Sequence, residues 1–140
     1  MKLFLICLIF ILSSCNNENS NYRTVNSYIE RFKIPGETKG LLIISEKYCG
    51  PCQESTMNRI WELDCKEVVI IISGTTLSSN LKSELEKLSE NGFVVFHDKE
   101  NMGERMGLPL AKPLYVEFDN QKVVNASNYE NAIDLPLACI

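Results

Sequence analysis

The stretch Leu41-Leu42-Ile43-Ile44-Ser45-Glu46-Lys47-Tyr48-Cys49-Gly50-Pro51-Cys52-Gln53 decides the fold. It opens on a continuous apolar run, the pattern of a strand covered on both faces, as parallel strands flanked by helices are. It then passes through Cys49-Gly50-Pro51-Cys52 into Gln53 to Leu63, which reads as a helix with Met57, Ile60, Trp61 and Leu63 on its apolar stripe. Two thiols separated by two residues can close into a small disulfide ring. A helix N-terminus beside the first sulfur favours its thiolate, the form that attacks another disulfide. A C-x-x-C pair alone is shared by redox motifs, half zinc sites and structural disulfides; its place at a strand-to-helix junction selects redox. Zinc wants three or four Cys or His ligands, commonly with a second close pair. The other candidates, Cys65, His97 and Cys139, are solitary, so no metal is expected.

Moving outward, Val68 to Ile72 is a second apolar, β-branched strand. Leu77, Leu81, Leu85 and Leu88 recur at helical spacing, with Ser78 or Ser79 as N-cap and Asn91-Gly92 as a stop. Phe93 to Phe96 is a third short strand. Leu114 to Phe118 and Lys122 to Ala126 flank Asp119-Asn120-Gln121 as an antiparallel hairpin. The order β-α-β-α-β followed by a hairpin predicts an α/β fold with a mixed central sheet, flanked by helices and built with right-handed crossovers. Upstream, Val25, Tyr28, Ile29 and Phe32 give Tyr22 to Phe32 a weak amphipathic character that Pro35-Gly36 ends. Asn128 to Ile140 leaves little room for a closing helix. Either a short helix near Tyr129 to Ile133, the N-terminal helix or a partner must then cover that sheet face.

With these elements in place, the chain resembles the thioredoxin superfamily, and within it the membrane-associated TlpA-like thiol-disulfide oxidoreductases, from about Lys39 to Ala126. Lys47 to Cys52 is the first anchor, with Tyr48 where the family usually has Trp. Lys112-Pro113-Leu114-Tyr115-Val116-Glu117-Phe118-Asp119 and the return through Lys122-Val123-Val124 look like the family's proline, strand, aspartate-led turn and return strand. Phe93 to Asp98 followed by Met102 to Gly107 is similar to the extra strand and short helix that set TlpA-like proteins apart.

The resemblance implies a thioredoxin-like fold in which Cys49 attacks and Cys52 resolves. Pro113 would be a cis-proline facing the pair, with Pro109 as its rival. Tyr48, Gly50, Pro51, Lys112 and Pro113 would contact substrate, and no cofactor is implied. The partners implied are disulfide-containing envelope proteins and a membrane thiol electron carrier. The chain departs from the pattern at Ile43, which stands where thioredoxin has a buried acid, and at Ser55, where some relatives carry one. Glu46 and Glu54 read as surface charges, so the proton relay is unassigned. Lys112 either points to solvent or approaches Cys49 closely enough to favour its thiolate, and Lys47 is a weaker candidate for that role. Trp61 reads as core, His97 as structural and Cys65 as a small buried hydrophobe, while Cys139 has no assigned pairing.

The N-terminus adds a second resemblance. Leu3 to Leu12 is a ten-residue apolar run behind Lys2, short for a membrane span and the right length for a signal core. Leu12-Ser13-Ser14-Cys15 resembles the bacterial lipoprotein signal, which implies removal of residues 1–14 and acylation of Cys15. Residues 15–26, rich in Asn and Ser, are expected to be a lipid-anchored flexible spacer, and residues 27–140 the thioredoxin-like domain. The domain would be tethered to a membrane in the cell envelope, facing the periplasm or the exterior. With 14 basic against 18 acidic side chains and no basic cluster, nucleic acid binding has no electrostatic support. A metal-binding or scaffolding lipoprotein that keeps the fold without catalysis is the alternative function.

Overall fold

The computed structural model describes residues 18–63 and 66–136; the leader, Cys15, Cys65 and Cys139 lie outside them. The helices are α1 (Glu18–Ile29), α2 (Gly50–Leu63), α3 (Ser79–Glu90) and the short α4 (Met102–Arg105). The strands are β1 (Gly40–Ser45), β2 (Val68–Ser73), β3 (Val95–Asp98), β4 (Leu114–Asp119) and β5 (Lys122–Asn128), and a 3-10 turn follows at Ala132–Asp134. They form one sheet in the order β3-β2-β1-β4-β5. The first three strands are parallel, and β4 and β5 run antiparallel to their neighbours. This mixed five-stranded sheet flanked by helices is compatible with a thioredoxin-like fold, as the order of apolar runs predicts.

Every residue of β1 and β2 is buried, and the two-residue side-chain period divides them between two cores. Leu42, Ile44, Ile70 and Ile72 face Met57 and Ile60 of α2 and Leu81, Leu85 and Leu88 of α3. Leu41, Ile43, Val69 and Ile71 face Val25 and Tyr28 of α1, with Leu108 and Leu110 alongside. Burying such a side chain contributes about 1.5–3 kcal/mol, which is why an unbroken apolar run settles here as a central strand.

Helix α3 resolves the choice of cap: Ser78 Oγ accepts the N–H of Leu81. At its other end Gly92 takes φ +88°, and the N–H groups of Gly92 and Phe93 return to the carbonyls of Ser89 and Leu88. The hairpin turn is tighter than expected. Asn120 and Gln121 both have positive φ, at 48° and 66°, and Asp119 pairs with Lys122 across a two-residue connection.

Three expectations are corrected. Helix α1 begins at Glu18, so most of the stretch read as a flexible spacer through Asn26 is helical. Burial of Val25 and Tyr28, 3% and 0% exposed, outweighs its polar composition. The helix stops at Ile29, short of the expected Phe32, with Arg31 and Phe32 closing tight turns onto Tyr28 and Ile29 carbonyls. Strand β3 starts two residues later than the apolar run, because Phe93 is taken by the α3 stop and packs edge-on to Trp61, 6.1 Å between ring centres. The covering question has two answers. Helix α1 covers one face, while Tyr129, Ala132 and Leu135 join the core on the other, beside α2.

Candidate active site

Strand β1 ends at Ser45, and a turn through Glu46, Lys47 and Tyr48 delivers Cys49 to the start of α2. Cys49 precedes the first helical residue, and its carbonyl accepts the N–H of Gln53. Its sulfur therefore lies at the end of the helix that carries partial positive charge. Pro51 sits in the first helical turn, where a missing N–H costs nothing. The Gln53 side chain ties this turn to the sheet, donating to the carbonyls of Ser45 (3.1 Å) and Glu46 (3.0 Å). Thr56 Oγ1, in a buried side chain, donates to the carbonyl of Cys52 at 2.9 Å.

Cys49 and Cys52 are joined as a disulfide with their Cα atoms 5.2 Å apart. Cys49, Gly50 and Pro51 are exposed, and Cys52 is half-buried. The pair is thus open at its first cysteine, to a visiting thiol when oxidised and to a visiting disulfide when reduced, while the second cysteine is partly withdrawn. That arrangement is compatible with thiol-disulfide redox chemistry.

Two ion pairs border the cysteine loop. Lys47 Nζ donates to Glu104 Oε2 at 2.7 Å, and Glu104 also accepts from Asn101 Nδ2 (2.8 Å) and Ser45 Oγ (3.1 Å). Hydrogen bonds from Lys47, then Asn101 and Ser45, hold the Glu104 carboxyl below the usual carboxylate range. The same contact pushes the Lys47 ammonium up. On the other side Lys112 Nζ pairs with Glu130, which likewise holds the Glu130 carboxyl down. The Glu130 carbonyl accepts the Tyr48 hydroxyl at 3.4 Å, and the half-buried Tyr48 ring packs on the first core. Lys112 is therefore not a free cation beside Cys49.

A cleft of about 460 Å³ runs between Ser45, Lys47, Tyr48 and Glu104 on one wall and Leu108, Pro109, Leu110 and Ala111 on the other. Pro113 does not line it. The expected cis bond at Pro113 is corrected, since no cis peptide bond occurs among the described residues. The preference between isomers is small before proline, and here local hydrogen bonds set the path. Pro113 is buried, its carbonyl accepts the N–H of Tyr129, and Asn128 Nδ2 reaches the carbonyls of Pro109 (2.7 Å), Lys112 (3.1 Å) and Pro113 (3.4 Å). A second groove, of about 450 Å³, lies along α2 and is lined by Pro51, Glu54, Ser55 and Asn58 with Ala132 and Ile133 opposite.

Behind the cleft lies a polar row that the sequence reading did not single out. Ser45, Ser73 and Asp98 are in register across the ends of β1, β2 and β3. Asp98 is 5% exposed and accepts from Tyr28 Oη (3.1 Å) and the N–H groups of Met102 (3.0 Å) and Gly103 (2.9 Å). Ser73 Oγ sits 2.9 Å from both Asp98 Oδ2 and Asn101 Oδ1. The available signal was an aspartate closing an apolar strand just before a short helical stretch. Ile43 is fully buried in the second core. Glu54 is exposed, as expected of a surface charge, whereas Glu46 is half-buried and accepts the N–H of Thr76 at 2.8 Å. Trp61 packs on the first core, and His97 Nε2 bonds the carbonyl of Gly74 at 2.8 Å. No three His, Cys, Asp or Glu side chains gather to hold a metal among the described residues. No helix among them is long and apolar enough to cross a membrane.

No family model matches the chain, and comparison with curated proteins finds no match.

Proposed function

We propose that this chain is an extracytoplasmic thiol-disulfide oxidoreductase that works in the reducing direction on protein substrates. The observation that carries the reading is the Cys49–Cys52 disulfide at the start of α2, exposed at its first cysteine and half-buried at its second. In the reduced protein the Cys49 thiolate attacks one sulfur of a substrate disulfide. A mixed disulfide forms and the other substrate sulfur leaves as a thiolate that takes a proton from solvent. The Cys52 thiol, losing its proton, then attacks Cys49 and releases the second substrate sulfur. The substrate gains two electrons and the Cys pair is oxidised to the disulfide. A membrane thiol carrier returns the two electrons.

The cleft beside Tyr48 is the place for an extended substrate segment, with Gly50 and Pro51 exposed at the cysteine pair and Lys112 and Pro113, whose carbonyls face the Asn128 amide, continuing the opposite loop. Gly-Pro between the cysteines is thioredoxin's own pair, and thioredoxin is reducing at about −270 mV, against about −120 mV for the oxidant DsbA. The leader reading places the domain on a lipid at Cys15. The described part of α1 starts at Glu18, three positions after that cysteine in the sequence.

The test is reduction of insulin by dithiothreitol, catalysed by the full chain in detergent and by Cys49→Ser. Acceleration that depends on Cys49 supports the proposal, and equal rates remove it. A reduction potential above roughly −150 mV would turn the assignment from reductase to oxidase.

A further inference from the structure

A cation near an attacking cysteine stabilises its thiolate, and stabilising the reduced form makes a Cys pair more oxidising. This chain places two lysines at the cysteine loop. Lys47 is two residues before Cys49 in the turn itself. Lys112 pairs with Glu130, whose carbonyl accepts the hydroxyl of Tyr48, the residue preceding Cys49. Neither lysine faces the loop alone. Lys47 is held by Glu104, which Ser45 and Asn101 fix in place, and Lys112 is held by Glu130. The other charged groups on the bordering elements are Glu46 on the turn, Glu54 on α2 with the Arg59–Glu62 ion pair further along that helix, and Arg105 at the end of α4.

We propose that Glu104 and Glu130 are positioning residues that keep the Cys49–Cys52 pair reducing, by engaging the two rim lysines so that neither serves the Cys49 sulfur. The inference rests on the redox reading above and assigns the residues that set its direction. Glu104 is suited to the task because Lys47, Asn101 and Ser45 all donate to its carboxylate and fix its position. Helix α4 matters to the site because it carries this carboxylate, and the row from Asp98 to Ser45 keeps α4 in register with the cysteine turn.

The experiment is the pH profile of iodoacetamide alkylation of the reduced full chain, with Cys49 followed in its own peptide by mass spectrometry. Glu104→Gln and Glu130→Gln should each lower the Cys49 midpoint by about half a pKa unit, the size of a unit charge several ångströms away acting through water. Above the thiol midpoint this is a threefold change, raising the reduction potential by about 15 mV. In a Lys47→Met background the Glu104→Gln shift should fall by more than half. No shift, or an upward one, overturns the proposal. An equal shift with and without Lys47 also overturns it, since Glu104 would then act as a bare anion. Glu130 and Lys112 are exposed, so Glu130→Gln, read with and without Lys112→Met by the same criterion, tests the claim even if the α4 variant misfolds. Alkylation requires no turnover, so this result and the insulin assay can fail independently.

Discussion

Asn128 Nδ2 donates to the carbonyl of Pro109 at 2.7 Å, joining the end of the last strand to the loop that forms one wall of the cleft beside Tyr48. Two further carbonyls of that loop, from Lys112 and Pro113, lie within reach of the same amide. Together with the buried Leu108 and Leu110 and the Tyr129 N–H on the Pro113 carbonyl, this side chain holds a segment with no regular structure of its own. Asn128→Ala should lower the rate of insulin reduction roughly fivefold, the equivalent of about 1 kcal/mol of lost hydrogen bonding. Alkylation of Cys49 by a small reagent should be unchanged. A parallel fall in both would mean that Asn128 supports the fold at large and not the substrate wall.

Asp98 predicts an acid-sensitive stability. Burial pushes its carboxyl up, but the N–H groups of Gly103 and Met102, then the hydroxyls of Ser73 and Tyr28, outweigh that penalty and leave it below the ordinary range. A carboxyl lowered on folding stabilises fully above its unfolded value of about 3.9, and that contribution is lost as pH falls through the folded value. Asp98→Asn should cost about 2–3 kcal/mol in urea unfolding at pH 7. The gap to wild type should narrow by pH 3. A gap of constant size would show that shape, not charge, is what Asp98 supplies.

Gln121 occupies a left-handed conformation at φ 66° in the β4–β5 turn, which costs a residue with a Cβ about 1–2 kcal/mol. Glycine at this position removes that cost, at the expense of a more flexible unfolded chain. Gln121→Gly should raise the melting temperature by about 2–5 °C, and Gln121→Val should lower it. Calorimetry on the two variants and wild type gives the order directly. A lower melting temperature for the glycine variant would contradict the assignment of strain to this residue.

Cys52→Ser should accumulate the mixed disulfide with substrate, because the attack that releases product is gone while Cys49 remains exposed. Incubated with an insulin-like disulfide substrate, the variant should give an adduct at Cys49 that reductant reverses. Absence of the adduct in Cys52→Ser, or its persistence in Cys49→Ser, would assign the wrong sulfur to the attack.

The apolar runs at Leu41 and Val68 were legible as strands because burial on both faces leaves an unbroken signature, the strand at Leu114 was legible from the turn that follows it, and the leucine spacing of α3 was equally plain. Helix α1 was legible only in part. Two buried side chains, Val25 and Tyr28, decide it, and a composition rich in Asn and Ser hides them. The cysteine pair was readable from its spacing and its junction. The groups around it were not, because they are assembled from distant positions. Glu104 meets Lys47 across 57 residues, and Tyr28 meets Asp98 across 70. Lys112 illustrates the limit: its place before a proline suggested a role at the sulfur, and only the fold reveals the carboxylate that engages it.

The row of hydrogen bonds that begins at Tyr28 and ends at Lys47 has a consequence for motion. Both amides that start α4, those of Met102 and Gly103, are held by the same carboxylate that anchors α1 through the Tyr28 hydroxyl. A four-residue helix standing alone would fray freely, but here its opening is coupled to the undocking of α1. Deuterium uptake at Met102 and Gly103 will therefore follow the slow detachment of a helix far earlier in the chain, and the two segments will open as one cooperative unit.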